Sequence, residues 1–169
     1  MVSSAVNTWA VFRFALGYPD ERHLERFRDL SDSIPTTLEE LRALYIDLFE
    51  AGLPQPRCPL LESAWLLNRP AGEVVLENKL YYQAFGLEID GRAAPDHLLT
   101  QLEFLAWLDH CEAVGNADLP SLQCARGEFL ERHLSHWVGS LARLAENSGG
   151  SCYAELLEAL AREVESALG

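Results

Sequence analysis

Residues 98–111, "LLTQLEFLAWLDHC", place Leu98, Leu99, Leu102, Phe104, Leu105, Ala106, Trp107, Leu108 and Cys111 in a stretch with strong helix formers and no breaker. At about 100° per residue these positions fall all round the helix axis. A helix without a polar face has to be surrounded by other elements, so this one is expected at the centre of the molecule. The chain must therefore supply a shell of further elements around it.

That shell reads as helical. Residues 3–16 bring Val6, Trp9, Phe12 (or Arg13) and Leu16 near one stripe, and Gly17-Tyr18-Pro19 stops the helix. Asp20 can cap a short helix bearing Leu24, Phe27 and Leu30 that ends before Pro35. Thr36-Thr37 followed by Glu39-Glu40 reads as a capping box, with Leu41, Leu44, Tyr45, Leu48 and Phe49 behind it and Gly52 closing. Residues 71–85 resume helix, and Gly86-Leu87 has the form of a Schellman ending. Residues 121–146 carry Phe129, Leu130, His133, Leu134, Trp137, Leu141 and Leu144 on one broad face. A last amphipathic helix follows "ENSGGS" and runs through Tyr153, Leu157, Leu160, Val164 and Leu168. No segment sustains two-residue alternation. The expected fold is all-α, one domain over residues 1–169, built as a helical bundle of about six to eight helices.

One segment escapes this pattern. "GLPQPRCPLLESAWLLNRPAG", residues 52–72, has prolines at 54, 56, 59 and 70, which deny it continuous helix. It is nevertheless rich in leucine and carries Trp65. Apolar side chains on an extended segment are either plugged into the core or left available to a ligand.

Charge narrows the partners. Thirteen Lys and Arg against 26 Asp and Glu give a formal charge of −13, which repels phosphate backbones and anionic lipid. Nucleic acid is excluded as a primary partner, and a cationic peptide is attracted. No run approaches a membrane span, and the start lacks the basic region of a signal peptide, so stable membrane insertion is not expected and the cytoplasm is. Cys58, Cys111, Cys124 and Cys152 are scattered and form no C-x-x-C, the pattern of free thiols. Phosphate-loop, dinucleotide, serine-hydrolase and zincin motifs are all missing. No cofactor, metal or catalytic residue is indicated. His133 and His136 are three apart and could share a metal, but lack a carboxylate at matching spacing.

"PDHL" at residues 95–98 is the remaining feature. Asp96 has a plain structural reading as the N-cap of the apolar helix, with Pro95 keeping the preceding chain extended. His97 is less expected there, because a protonated imidazole is unfavourable at the positive end of a helix. A neutral ring, or one engaged with another group, fits better.

Three blocks in order resemble the TorD/DmsD/NarJ group of redox-enzyme maturation chaperones. They are "LYIDLFEAGLPQPRCPLLESAW", "YYQAFGLEIDGRAAPDHLLTQLEFLAWL" and "FLERHLSHWVGSLARLAE". The resemblance implies an all-helical, cytoplasmic, non-enzymatic protein. It implies as partner the N-terminal twin-arginine leader, or a corresponding segment, of the catalytic subunit of a molybdopterin oxidoreductase. The chaperone holds that subunit back from export until its cofactor is inserted. Asp96 and His97, with Pro95 ahead of them, fall on the family's functional pair. Tyr45, Phe49 and Trp65 fall on the aromatic block of the same client-peptide site. The resemblance admits a monomer or a domain-swapped dimer. Two rival readings stand beside it: a small helical hydrolase or metal-binding enzyme using Asp96, His97, His133 or His136, and a permanent helical subunit of a complex.

Overall fold

The computed structural model describes residues 7–27, 35, 37–115 and 118–169. Val6, Leu30 and Thr36, each assigned above to a helix or its cap, lie outside them, as does the side chain of Phe27. Eight α-helices run through the described residues: α1 (Thr8–Ala15), α2 (Glu21–Phe27), α3 (Leu38–Tyr45), α4 (Ala71–Ala84), α5 (Leu98–Val114), α6 (Leu119–Phe129), α7 (Val138–Asn147) and α8 (Ser151–Leu168). No strand occurs among them, and the fold is all-α as expected.

The helix ends follow the local chemistry. Asn7 caps α1 by accepting from the Ala10 amide, and its side-chain amide donates to the Ala106 carbonyl at 2.8 Å, fastening α1 to α5. Thr37 and Glu40 form the capping box of α3, each side chain accepting from the other's backbone N–H at 3.2 Å. Thr37→Ala should cost about 1 kcal/mol in chemical denaturation, the usual value of such a cap. After α4 the Leu87 amide donates to the Tyr82 carbonyl and Gly86 to Gln83, with Gly86 at φ +73°, the left-handed turn of a Schellman ending.

Two helices widen before they end. Residues 46–50 continue α3, and 130–134 continue α6, as single π turns closed by Ala51 N–H to Ile46 O and Ser135 N–H to Leu130 O. The periodicity predicts one helix over 121–146, but the chain turns at 135–137. Trp137 explains the break. Its buried indole N–H donates to the His133 carbonyl, the acceptor that its own backbone amide would take in a continuing helix. That amide goes instead to Leu134 O.

Packing places α5 between α1 and α6, while α8 lies against α7, α1 and the π turn at 130–134. Leu98, Leu102, Leu105 and Leu108 of α5 have no exposed surface. The expectation that α5 is buried on all sides is corrected in one respect. Glu103, Trp107, His110 and Val114, spaced four, three and four apart, form a stripe that reaches solvent. Trp107, expected in the core, is partly exposed and packs edge-on against Phe85. All four cysteines are free thiols, and only Cys124 is exposed.

Candidate functional site

The proline-rich segment is plugged into the core around its middle, at residues 58–62. Residues 51–55 are exposed, but Cys58, Leu60 and Glu62 are buried. The Cys58 amide donates to Leu48 O in the first π turn, the Glu62 amide to Asp96 O at 3.0 Å, and the Leu98 amide to Leu60 O at 2.8 Å. The last two bonds pair Leu61 with His97 as an isolated antiparallel bridge. Residues 58–65 thus form a strap laid across the start of α5.

This pairing moves the cap. Leu60 O takes the first amide of α5, so the cap falls on His97 and not on Asp96, as the sequence predicts. The His97 ring accepts from the Leu99 amide through Nδ1 at 3.2 Å, and its carbonyl takes the Thr100 and Gln101 amides. A nitrogen that accepts carries no proton, so a neutral ring holds its hydrogen on Nε2. Burial pushes the His97 pKa below its ordinary value, with the Asp96 charge opposing. Asp96 is 2% exposed, and its carboxylate accepts from the Ser63 amide at 3.1 Å. It fastens the strap from beneath.

The other predicted residues divide into two groups. Tyr45 and Phe49 are buried in an edge-to-face cluster with Tyr153, and Tyr18 closes its outer side against Tyr45. Burial, with the Glu50 charge adding to it, lifts the Tyr45 phenol to about 12. Trp65, half-buried, stacks on Trp137 and donates its indole N–H to Pro59 O. Pro95 follows Ala94 into the turn, and its carbonyl receives the Tyr82 hydroxyl at 2.7 Å. The strap joins the groups: its start is tied to the π turn bearing Phe49, its middle to Asp96 and His97, and its end carries Trp65.

Beneath the strap lies a polar cluster that sequence reasoning missed. Glu62, Asn78, Gln101 and His133 are each wholly buried. The Glu62 carboxylate accepts from Asn78 Nδ2 at 2.8 Å and Gln101 Nε2 at 2.7 Å, and both its oxygens lie 3.1 Å from His133 Nδ1. Tyr82 reaches the Asn78 carbonyl oxygen at 3.3 Å. The cluster ties the strap to α4, α5 and the second π turn. It also separates the histidine pair, since His133 faces Glu62 in the interior while His136 is exposed. Among the described residues no three His, Cys, Asp or Glu side chains are grouped to hold a metal. No described helix is long and apolar enough to cross a membrane.

The sequence model of the nitrate reductase delta subunit matches residues 18–143. The chain belongs to that family. A selenate reductase assembly chaperone protein from Thauera selenatis is 34% identical over 158 residues, covering 88% of this chain and 80% of that protein. A chlorate reductase assembly chaperone protein from Ideonella dechloratans is 36% identical over 59% of this chain, and the match spans 54% of its own length. Among solved structures, a redox enzyme maturation protein from Archaeoglobus fulgidus superposes with a TM-score of 0.55 over 98% of this chain and 97% of that one, at 19% identity. That likeness establishes the helical fold. The curated relatives are named as assembly chaperones and not as enzymes, which sets aside the hydrolase reading.

Proposed function

We propose that this member of the delta subunit family is a cytoplasmic maturation chaperone for the catalytic subunit of one molybdopterin oxidoreductase. It binds the N-terminal leader or segment of that subunit, and holds it until the cofactor is inserted and the subunit can be exported or assembled. The observation that carries this reading is the 158-residue alignment with a selenate reductase assembly chaperone, which runs through the strap, the Pro95-Asp96-His97 turn and the second π turn alike. A charge of −13 supports it, since a basic leader is drawn to an acidic surface.

In this reading the client engages the strap and the turn beside it. Pro95, Asp96 and His97 set the turn, Trp65 lies at the end of the strap, and Tyr45 and Phe49 support its start. His97 offers an N–H to a peptide carbonyl, while Asp96 acts by holding the Ser63 amide. Two measurements test this. A tagged copy expressed in its native host should co-purify with a molybdopterin oxidoreductase subunit, identified by mass spectrometry. Calorimetric titration of metal-free protein with that subunit's N-terminal peptide should then show saturable binding. Asp96→Ala and His97→Ala should weaken binding by about 1–3 kcal/mol each, the first because the Ser63 amide loses its acceptor and the second because the peptide carbonyl loses its donor. Asp96→Asn keeps an acceptor for Ser63 and should leave both melting temperature and affinity close to those of the parent. Failure to recover or bind any such subunit would remove the chaperone reading. Unchanged affinity in both alanine variants would remove the turn from the site.

A further inference from the structure

The turn at 95–97 has a second side. Between the end of α4, the loop 87–93 and α5 lies a cleft of about 370 Å³. Tyr82 and Phe104 form its floor, and Leu87, Ile89 and Trp107 its apolar walls. Tyr82 connects it to the turn, because the same hydroxyl that faces Asn78 donates to Pro95 O. A shallower concavity of about 220 Å³ shares Leu87, Glu88 and Ile89 and extends the groove towards Lys79 and Gln83 on α4. The volume of the main cleft suits a few side chains, at the low end of ligand-sized sites.

Its rim is acidic. Glu88, Asp90 and Glu103 line the opening and are exposed. Glu103 is paired with Arg13 of α1 at 3.0 Å, with both side chains about half-exposed or more, at 64% and 47%. Lys79 lines the adjoining concavity, and Arg92 follows on the rim loop, its backbone amide donating to Asp90 Oδ1 at 3.2 Å. An apolar floor under carboxylates complements a segment in which a basic residue adjoins apolar or aromatic ones. The Arg13–Glu103 pair shows that a guanidinium already reaches this rim. Asp96 cannot supply the same service from the surface, since it is 2% exposed and engaged with Ser63.

We infer that this cleft docks the basic-and-apolar stretch of the client's N-terminal segment, with arginine on the Glu88–Asp90–Glu103 rim and an apolar side chain against Trp107 and Phe104. The inference rests on the chaperone reading and adds to it the surface that receives the peptide.

The test uses the full chain and a fluorescein-labelled synthetic peptide in which two adjacent arginines precede a leucine- and phenylalanine-rich stretch, read by anisotropy. Joint Glu88→Gln, Asp90→Asn and Glu103→Gln replacement should weaken binding about three- to tenfold and flatten its salt dependence. A control removing three remote charges, by Glu131→Gln, Glu146→Gln and Glu165→Gln, should leave affinity nearly unchanged. Trp107→Ala should weaken binding by about thirtyfold, the usual effect of losing a buried aromatic anchor. Thr100→Lys places a cation in the cleft wall without touching the Trp107–Phe85 packing, and it should weaken the same peptide if Trp107→Ala proves unstable. Equal weakening by rim and remote variants would reduce the effect to net charge and overturn the assignment. So would unchanged affinity in Thr100→Lys, or a cleft that takes a neutral apolar dye without competition from the peptide. Should the wild-type chain ignore this peptide yet co-purify with its oxidoreductase, the cleft assignment fails and the chaperone reading stands. Loss of both results removes both.

Discussion

Glu62→Ala is expected to lower the unfolding free energy by about 2–5 kcal/mol, because it removes an acceptor shared by buried side chains and leaves a cavity in its place. Glu62 has no exposed surface and is the common acceptor for Asn78, Gln101 and His133. Without it the His133 ring loses its carboxylate partner, while Asn78 keeps the Val74 carbonyl and Gln101 keeps Asn78 Oδ1. Asn78 Nδ2 also lies 3.2 Å from His133 Nδ1, so each of the three keeps a neighbour and the loss is shared among them. Glu62→Gln preserves the volume and one oxygen and should lose less, about 1–3 kcal/mol. Combining Glu62→Ala with His133→Phe should cost less than the sum of the single changes, because the contact the two residues share is lost only once. Urea titration of the parent and these variants, the His133→Phe single change included, checks this. A loss below about 1 kcal/mol in Glu62→Ala would show that the cluster does not hold the strap, given that ordinary surface substitutions fall within about half of that. Hydrogen exchange adds a local reading: amides of residues 58–65 should lose protection before those of α7 and α8.

This cluster also marks how far the sequence could be read. Helices, caps and the Schellman ending are local properties, set by residues within a turn or two, and they were legible. The partner of Glu62 was not, because His133 lies 71 positions away and periodicity records only which face a residue occupies. A trace did exist. Asn78 stands between Val74 and Tyr82, and Gln101 between Leu98 and Leu105, so each is polar where its neighbours three or four away are buried. Such a residue needs an internal partner. The cap at Asp96 was misplaced for a related reason. Propensity favours Asp over His as a cap, but a long-range bond from the Leu98 amide to Leu60 O decided where α5 begins.

The misreading of Trp107 is instructive for the candidate cleft. Glu103 and His110, seven apart, already marked a solvent-facing stripe on α5, and Trp107 lies between them. A large aromatic on such a stripe departs from the rule that polar residues face water. Departures of that kind are where a binding surface is expected. The motif Pro95-Asp96-His97 was visible, but its buried carboxylate and its link through Tyr82 to the cleft required the fold.

Leu102→Ala should cost about 2–5 kcal/mol, and the contrast with Leu80→Ala makes the measurement decisive. Both are leucines in helix interiors, so helix propensity changes alike in the two variants. Leu102 is wholly buried on α5, away from the solvent stripe, whereas Leu80 is 54% exposed on α4. Truncating Leu102 removes buried methyl groups and leaves a cavity that the flanking helices α1 and α6 can only partly close. Truncating Leu80 leaves its place to water, and a change within about 0.5 kcal/mol is expected. A small effect at Leu102 would mean that α5 is not the element around which the bundle packs. A large effect at Leu80 would mean that the exposed face of α4 is covered in solution, by a second copy of the chain, and that outcome would show as concentration-dependent stability.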